Sequence, residues 1–133
     1  MNSSSDMGKG GSDAAGSPAM GGQPAVEVKQ RAADGSARGA TGGAGMVTVR
    51  GSLSAPTPCH VISGAVAREG AALTLTLSVR PGAEVCIASI AELGYDATVR
   101  GLPAGRYTLR VVHTYPGTGW STEPGLTQTV EVT

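Results

Sequence analysis

Bulky aromatic residues are scarce in this chain. Its 133 residues include no Phe, one Trp and three Tyr, so a hydrophobic core has to be built from Val, Leu, Ile and Ala. A small core of this kind often needs a covalent cross-link to be stable. The chain has two cysteines, Cys59 and Cys86, and in an exported protein two cysteines predict one disulfide.

An excess of charge and a long apolar run are also missing. The ten Lys and Arg residues balance the ten Asp and Glu residues, which argues against a surface for nucleic acid. No run approaches the roughly 18 consecutive apolar residues of a membrane helix, and the first residues lack the basic and then apolar pattern of a secretory signal. We therefore expect a soluble single domain, and a monomer.

The first third of the chain differs in composition from the rest. Residues 1–45 are mostly Gly, Ser, Ala and Asp with scattered charges, too few apolar residues to offset the entropy of ordering a chain. This composition predicts a flexible, disordered tether. Val26 to Lys29 alternates apolar and charged residues, so either a short edge strand or continued disorder fits this segment.

From Met46 onward, apolar and polar residues alternate in short runs separated by Gly and Pro, as in half-buried strands. The predicted strands are 46–53, 60–67, 71–79, 84–91, 95–100, 106–115 and 126–132. The second and third form a hairpin with its turn at Glu69-Gly70. About seven short strands in fewer than ninety residues, with no competing helical period, predict a Greek-key β-sandwich over residues 46–133.

The segment Gly101-Leu-Pro-Ala-Gly-Arg-Tyr107 resembles the corner that enters a late strand of immunoglobulin-like and fibronectin-III-like domains. The resemblance implies that Tyr107 is a structural corner tyrosine, which bonds to the backbone upstream. Leu109 stands where an antibody domain has its second cysteine, and Trp120 lies in a loop, so an antibody-type framework is excluded. What carries over is the immunoglobulin-like architecture and not a function.

A wider combination, Thr57-Pro-Cys-His60 with Cys86, Tyr95 and the Tyr107 corner, resembles small domains of bacterial envelope lipoproteins. This resemblance implies a secreted or envelope location, in the periplasm or on the outer surface. Residues from Asn2 onward would then be the spacer after a lipidated cysteine, and that lipid would be the protein's attachment to a membrane. A vector-derived leader or an ordinary disordered terminus fits the same residues.

The two cysteines allow three interpretations. A Cys59–Cys86 disulfide would stabilise the fold by roughly 3 to 4 kcal/mol. A metal site made of both cysteines, His60 and His113 is disfavoured, because adjacent residues on a strand point to opposite faces and no metal-ligand spacing is present. A cysteine nucleophile lacks a neighbouring base. The disulfide is the preferred interpretation, with no metal and no cofactor.

Other candidates for chemistry are few. With two histidines and no Gly-x-Ser-x-Gly turn, Ser-His-Asp catalysis is disfavoured and we expect no enzyme activity. His113 continues the inward face of its strand, so we expect it to be partly buried and hydrogen-bonded. The loop 115–124 holds Tyr115 and Trp120, which either bind a ligand, such as an extracellular protein or a glycan, or cover the open end of the core.

Overall fold

The structure, a computed structural model, describes residues 24–35, 38–82 and 86–133. These ranges contain eight β-strands and no helix long and apolar enough to cross a membrane. The strands are β1 (Ala25–Ala32), β2 (Gly39–Gly43), β3 (Met46–Ala55), β4 (His60–Glu69), β5 (Ala72–Pro81), β6 (Ala91–Arg100), β7 (Gly105–Thr114) and β8 (Glu123–Val132). They make two four-stranded sheets, β1-β6-β3-β2 and β4-β5-β7-β8. The predicted all-β architecture is confirmed, with eight strands instead of seven.

Strict alternation of side chains explains the strands that pack in the centre. In β5 and β7 every second residue is buried and its neighbours lie on the outer face, as the two-residue period of a strand requires. The buried residues of these two strands are Leu73, Leu75, Leu77, Val79, Tyr107, Leu109, Val111 and His113. The β5–β7 pair is parallel, whereas the other paired strands are antiparallel.

The sandwich begins at Ala25, so the predicted boundary between tether and domain at residues 45 and 46 is wrong. The Val26 to Lys29 segment lies within β1, which pairs with β6 along its whole length, from Ala25 opposite Arg100 to Ala32 opposite Leu93. Pairing with an existing sheet supplies the hydrogen bonds and contacts that composition alone did not suggest. The part of the tether prediction that covers residues 1–23 lies outside the described residues.

Strand β2 also falls inside the predicted tether, because its glycines were interpreted as flexible. A Cβ atom on Gly42 would overlap the backbone carbonyl of Glu131 in β8. Glycine is therefore needed here for the close approach of two backbones, one from each sheet. The Thr133 amide donates to the Gly43 carbonyl at 3.0 Å and the Gly45 amide donates to the Thr133 carbonyl at 3.0 Å.

The strand predicted at residues 84–91 is wrong over its described part. Residues 86–90 form no strand, Ala91 opens β6, and residues 84 and 85 lie outside the described ranges. Gly94 lies just before the strand predicted at 95–100, yet in the structure it lies inside β6, where a Cβ would come within 2.9 Å of the Ala32 carbonyl oxygen on β1. This glycine reflects a close contact between strands, so β6 starts four residues earlier than the predicted strand at Tyr95.

Two glutamine side chains join the sheets at their edges. On one side the Gln30 amide of β1 donates to the His60 carbonyl at 2.8 Å and accepts from the Ile62 amide at 3.0 Å. On the other side the Gln128 amide of β8 donates to the Ala40 carbonyl at 2.7 Å and accepts from the Ala40 amide at 3.2 Å. Backbone groups of edge strands that would otherwise stay unpaired are thus satisfied on both sides of the sandwich.

Residues from four of the seven connections between strands lie at one end of the sandwich. The strand registers and the edge contacts bring together there the described residues of the connections 33–38, 56–59, 82–90 and 115–122. We call the described residues of these four connections the loop-rich end. Short turns at 44–45, 70–71 and 101–104 lie at the opposite end, together with Thr133, which bonds to Gly45, and Pro24, which lies beside Gly101.

Candidate functional site

The loop-rich end combines a rigid support with exposed apolar side chains. Ile87 and Ile90 follow the disulfide, and 73% and 70% of their surfaces are accessible. Val61, at the start of β4, is also exposed. Apolar side chains exposed on loops that a packed scaffold holds are available to contact a partner. Both isoleucines fall within the strand predicted at 84–91, so the pattern did not predict their exposure on a loop, although the Pro-Gly break just before this segment indicates one.

The predicted aromatic pair lies within the 115–122 connection. The rings of Tyr115 and Trp120 are tilted, with centroids 5.1 Å apart. Tyr115 is buried, whereas Trp120 is partly buried and packs against the hydrophobic core. This packing matches the alternative in which Trp120 covers the open end of the core. The accessible part of its side chain lies at the loop-rich end.

Local hydrogen bonds fold the 115–122 connection back on itself. The Thr118 hydroxyl donates to the Tyr115 carbonyl at 2.8 Å and accepts from the Trp120 amide at 3.0 Å. Gly117 and Gly119, on either side of Thr118, have φ angles of 77° and 82°, which glycine adopts without steric cost. The loop therefore holds Trp120 next to Tyr115 through its own backbone.

A polar cluster is buried directly below this loop. His113 of β7 is completely inaccessible, and neither ring nitrogen has a hydrogen-bond partner among the described residues. Its Nδ1 lies 3.6 Å from a carboxylate oxygen of Glu123, and the Tyr115 hydroxyl donates to the same oxygen at 3.4 Å. Tyr95 of β6 meets the His113 ring edge-on at 6.1 Å between centroids. The expected burial of His113 is thus complete, but the expected hydrogen bond is missing.

Arg38 and Gly125 close the space around His113. The Arg38 guanidinium donates to the Gly125 carbonyl at 2.7 Å, and its side chain lies near Gly51 together with the Tyr95 hydroxyl. Gly125 is the extra residue of a bulge in β8, since Val111 pairs with Leu126 and Val112 with Pro124. A Cβ at Gly125 would come within 2.7 Å of His113 Nε2, so the bulge glycine packs directly on the imidazole.

Burial changes the proton affinity of the cluster. The loss of water around His113 lowers its pKa from the ordinary 6.5, and the nearby Arg38 cation acts in the same direction, while Glu123 opposes both. Burial and the Glu123 carboxylate raise the pKa of Tyr115 from 10 to about 12. Burial also raises the pKa of Tyr95, against the effect of Arg38. All three side chains are therefore uncharged at neutral pH.

The predicted disulfide joins Cys59 and Cys86, whose Cα atoms are 6.0 Å apart. The Thr57 hydroxyl accepts from the Cys59 amide at 3.2 Å and lies 2.8 Å from His60 Nδ1. The bridge, His60 and the end of β5 line a small cavity of about 190 Å³. The disulfide ties the start of β4 to the segment that leads into β6, and not to a separate strand as predicted.

Tyr107 lies at the opposite end of the molecule. Its hydroxyl donates to the Pro103 carbonyl at 2.6 Å, four residues upstream, which is the backbone contact of a tyrosine corner. The Arg68 guanidinium lies over the ring, 5.8 Å from its centroid. These contacts fix the turn 101–104 and leave Tyr107 remote from the loop-rich end.

The described ranges hold no group of three or more His, Cys, Asp or Glu side chains arranged to bind a metal ion. Cys59 and Cys86 are bonded to each other, and His60 and His113 lie on different strands with different neighbours. No protein-family model, curated protein sequence or solved structure matches this chain. The geometry itself therefore has to support any functional proposal.

Proposed function

We propose that this chain is a non-enzymatic, exported or envelope-tethered β-sandwich module that binds a protein partner through its loop-rich end. The supporting observation is the gathering of four connections at the end opposite Pro24 and Thr133. Loops on a rigid sandwich vary without disturbing the core, and such ends carry binding sites in many sandwich domains. The exposed Ile87 and Ile90 supply apolar surface for a contact.

The disulfide supports the proposed location. Disulfides persist in oxidising compartments and are rare in the cytosol, and the Cys59–Cys86 bridge constrains the connections that carry the exposed isoleucines. An anchor at the N-terminus would reach the domain through Pro24. The loop-rich end lies on the side opposite Pro24, so this attachment would leave it accessible to a partner.

The immunoglobulin-like classification belongs to the same proposal. It is supported by the two packed sheets and by the bond from the Tyr107 hydroxyl to the Pro103 carbonyl. The parallel β5–β7 pair differs from the antiparallel sheets of an immunoglobulin constant domain. We therefore propose a relative of that architecture with its own strand order.

A binding experiment with matched variants tests the partner proposal. The full chain, Ile87→Ser/Ile90→Ser and Arg106→Gln are used to capture envelope proteins, and each captured protein is purified and its Kd measured. Arg106 is a suitable control because it is exposed at the opposite end, where it pairs with Glu131. We expect binding to the wild type and to Arg106→Gln, and at least a tenfold weaker Kd for the isoleucine variant. Equal binding by all three proteins would contradict the proposal.

A glycan ligand at the 115–122 connection is the second candidate. The Tyr115–Trp120 pair and the nearby Glu123 carboxylate combine an aromatic surface with a hydrogen-bond acceptor. Titration with oligosaccharides, monitored by the fluorescence of Trp120, tests the glycan candidate. Calorimetry then compares binding by the wild type with binding by Trp120→Ala. If Trp120→Ala gives the same heat of binding as the wild type, the glycan binds at a site away from the 115–122 connection.

A metal-binding envelope protein is the third candidate and requires Cys59 and Cys86 as thiols. The disulfide favours the other two candidates. Mass spectrometry of alkylated protein, recovered from the envelope with and without reductant, distinguishes them. Two alkylated cysteines in the unreduced sample, with stabilisation by zinc or copper, would favour the metal site.

A further inference from the structure

We propose that protonation of His113 loosens the packing of the 115–122 connection, so that the loop-rich end changes shape between neutral and mildly acidic pH. The proposal adds a form of regulation to the proposed binding end. The structural change itself can be measured without any partner, so its failure and the failure of the binding proposal are separable.

The surroundings of His113 favour the neutral imidazole over the imidazolium. His113 has no access to solvent, and its ring is enclosed by Tyr95 from β6, Leu77 in register on β5, and the Gly125 bulge of β8. Neither ring nitrogen has a hydrogen-bond partner in the part of the chain that the structure describes. A buried cation needs solvation or several hydrogen bonds, and this enclosure offers neither.

The charged groups around His113 do not compensate for a second positive charge. Among the described residues, Glu123 is the one carboxylate that contacts the ring, at 3.6 Å. About half of its side chain is exposed, so solvent screens its attraction. Arg38, from the connection between β1 and β2, repels a cation at this position. The hydroxyls of Tyr95 and Tyr115 carry no charge between neutral and mildly acidic pH. The loss of water around the ring is therefore the dominant effect.

The structure offers a local way to relieve this cost. Gly125 and Glu123 belong to the bulged start of β8, directly after the 115–122 connection. Moving this segment off the ring would let water reach and solvate the imidazolium. The same movement would break the bond from Tyr115 to Glu123 and separate Trp120 from its place on the core.

The sign of the pH dependence follows from linkage. Because burial lowers the pKa of His113 below 6.5 in the folded protein, the unfolded chain takes up a proton first as the pH falls. Stability is therefore fully present above about pH 6.5 and decreases below it, until the pKa of the folded state is reached. In that window the folding equilibrium constant is expected to fall up to tenfold per pH unit.

The experiment uses the full chain between pH 7.5 and 5. Urea unfolding gives the equilibrium constant at each pH, and the emission maximum of Trp120, the single tryptophan, reports on the loop in the folded protein. We expect the wild type to lose stability and to shift its emission to longer wavelength as the pH falls. His113→Leu should show neither change, and His60→Gln, which replaces the other histidine, should behave as the wild type.

Two charge variants retain His113 and test the proposal even if His113→Leu does not fold. Arg38→Met removes the repelling charge but keeps the aliphatic part of the side chain, so the loss of stability on acidification should be smaller. Glu123→Gln removes the attracting charge, so the loss should be larger. The proposal is overturned if both variants match the wild type, if His113→Leu keeps the transition, or if Trp120 emission of the folded wild type is independent of pH.

Discussion

Gln30 and Gln128 bind the backbone of the facing sheet in the same way, on opposite sides of the sandwich. Each side-chain amide donates one hydrogen bond and accepts another, Gln30 with His60 and Ile62, and Gln128 with Ala40 alone. Each amide thus occupies the place of a short stretch of neighbouring strand. The Gln30 edge is thus joined by a side chain, and the Gln128 edge by a side chain together with the two backbone hydrogen bonds of Thr133.

The first prediction concerns these two residues. Gln30→Leu and Gln128→Leu are each expected to lower the free energy of unfolding by about 1–3 kcal/mol, because partly buried backbone groups lose their partners. Urea unfolding measures the loss, and Thr127→Ala, an exposed neighbour of Gln128, is the control. A loss no larger than that of the control would show that water replaces the glutamine amides without cost.

The second prediction concerns β1. Val28→Ser in the full chain should lower the free energy of unfolding by about 1–3 kcal/mol, because Val28 packs against Gly64 and the core. A chain that begins at Met46 should lose more, since it also lacks the β1–β6 pairing. Thermal unfolding compares the three proteins. Equal melting temperatures would show that β1 and β2 add no stability and that the stable domain begins near residue 46.

The third prediction concerns the Cys59–Cys86 bridge. Cys59→Ala/Cys86→Ala is expected to fold but to lose roughly 2–5 kcal/mol of stability, because the bridge closes a long loop in the unfolded chain, with the cysteines 27 positions apart. Unfolding of the reduced wild type provides the matched control and should give a similar loss. Unchanged stability in both proteins would mean that the bridge adds no constraint.

The fourth prediction concerns Tyr115 at alkaline pH. The folded state holds its pKa at about 12 against an ordinary 10, so the unfolded chain releases the proton first and stability falls as the pH rises from 10 to 12. We expect Tyr115→Phe to remove roughly 1–2 kcal/mol of this fall, less than the full difference in pKa would give, because the exposed side of Glu123 is screened. The rest of the loss of stability includes a contribution from Tyr95, whose pKa is also raised in the folded protein.

Denaturant unfolding of the wild type and Tyr115→Phe at pH 9, 10.5 and 11.5 measures this difference. The two proteins should differ by a constant amount up to pH 10. Curves that stay parallel through pH 11.5 would mean that Tyr115 titrates equally in the folded and unfolded states.

Local alternation was sufficient to predict most strands of the sandwich. The Leu and Thr residues of β5, and the run from Tyr107 to His113 in β7, identify a buried and an outer face without knowledge of their neighbours. The period of a strand is a property of the backbone itself, so it is present in the sequence. The disulfide was predictable for a similar reason, because two cysteines allow one pairing.

Glycine was the main source of error, because its role depends on what lies opposite. The predicted strands leave Gly94 outside a strand and the predicted tether includes Gly42, whereas each glycine allows another backbone to come close. Strand β1 was left undecided for the same reason, since its order depends on pairing with β6. These are contacts between residues far apart in the chain, and no local pattern encodes them.

The sequence by itself determined the all-β class, the aliphatic core and the single cross-link, because composition and a two-residue period are local properties. Only the tertiary structure decided that Arg38, Tyr95, His113 and Glu123 lie together. They come from four parts of the chain, and the bulge at Gly125 that encloses the imidazole exists only where β8 pairs with β7. Burial, which sets their proton affinities, is a property of the packed sheets and not of any segment alone.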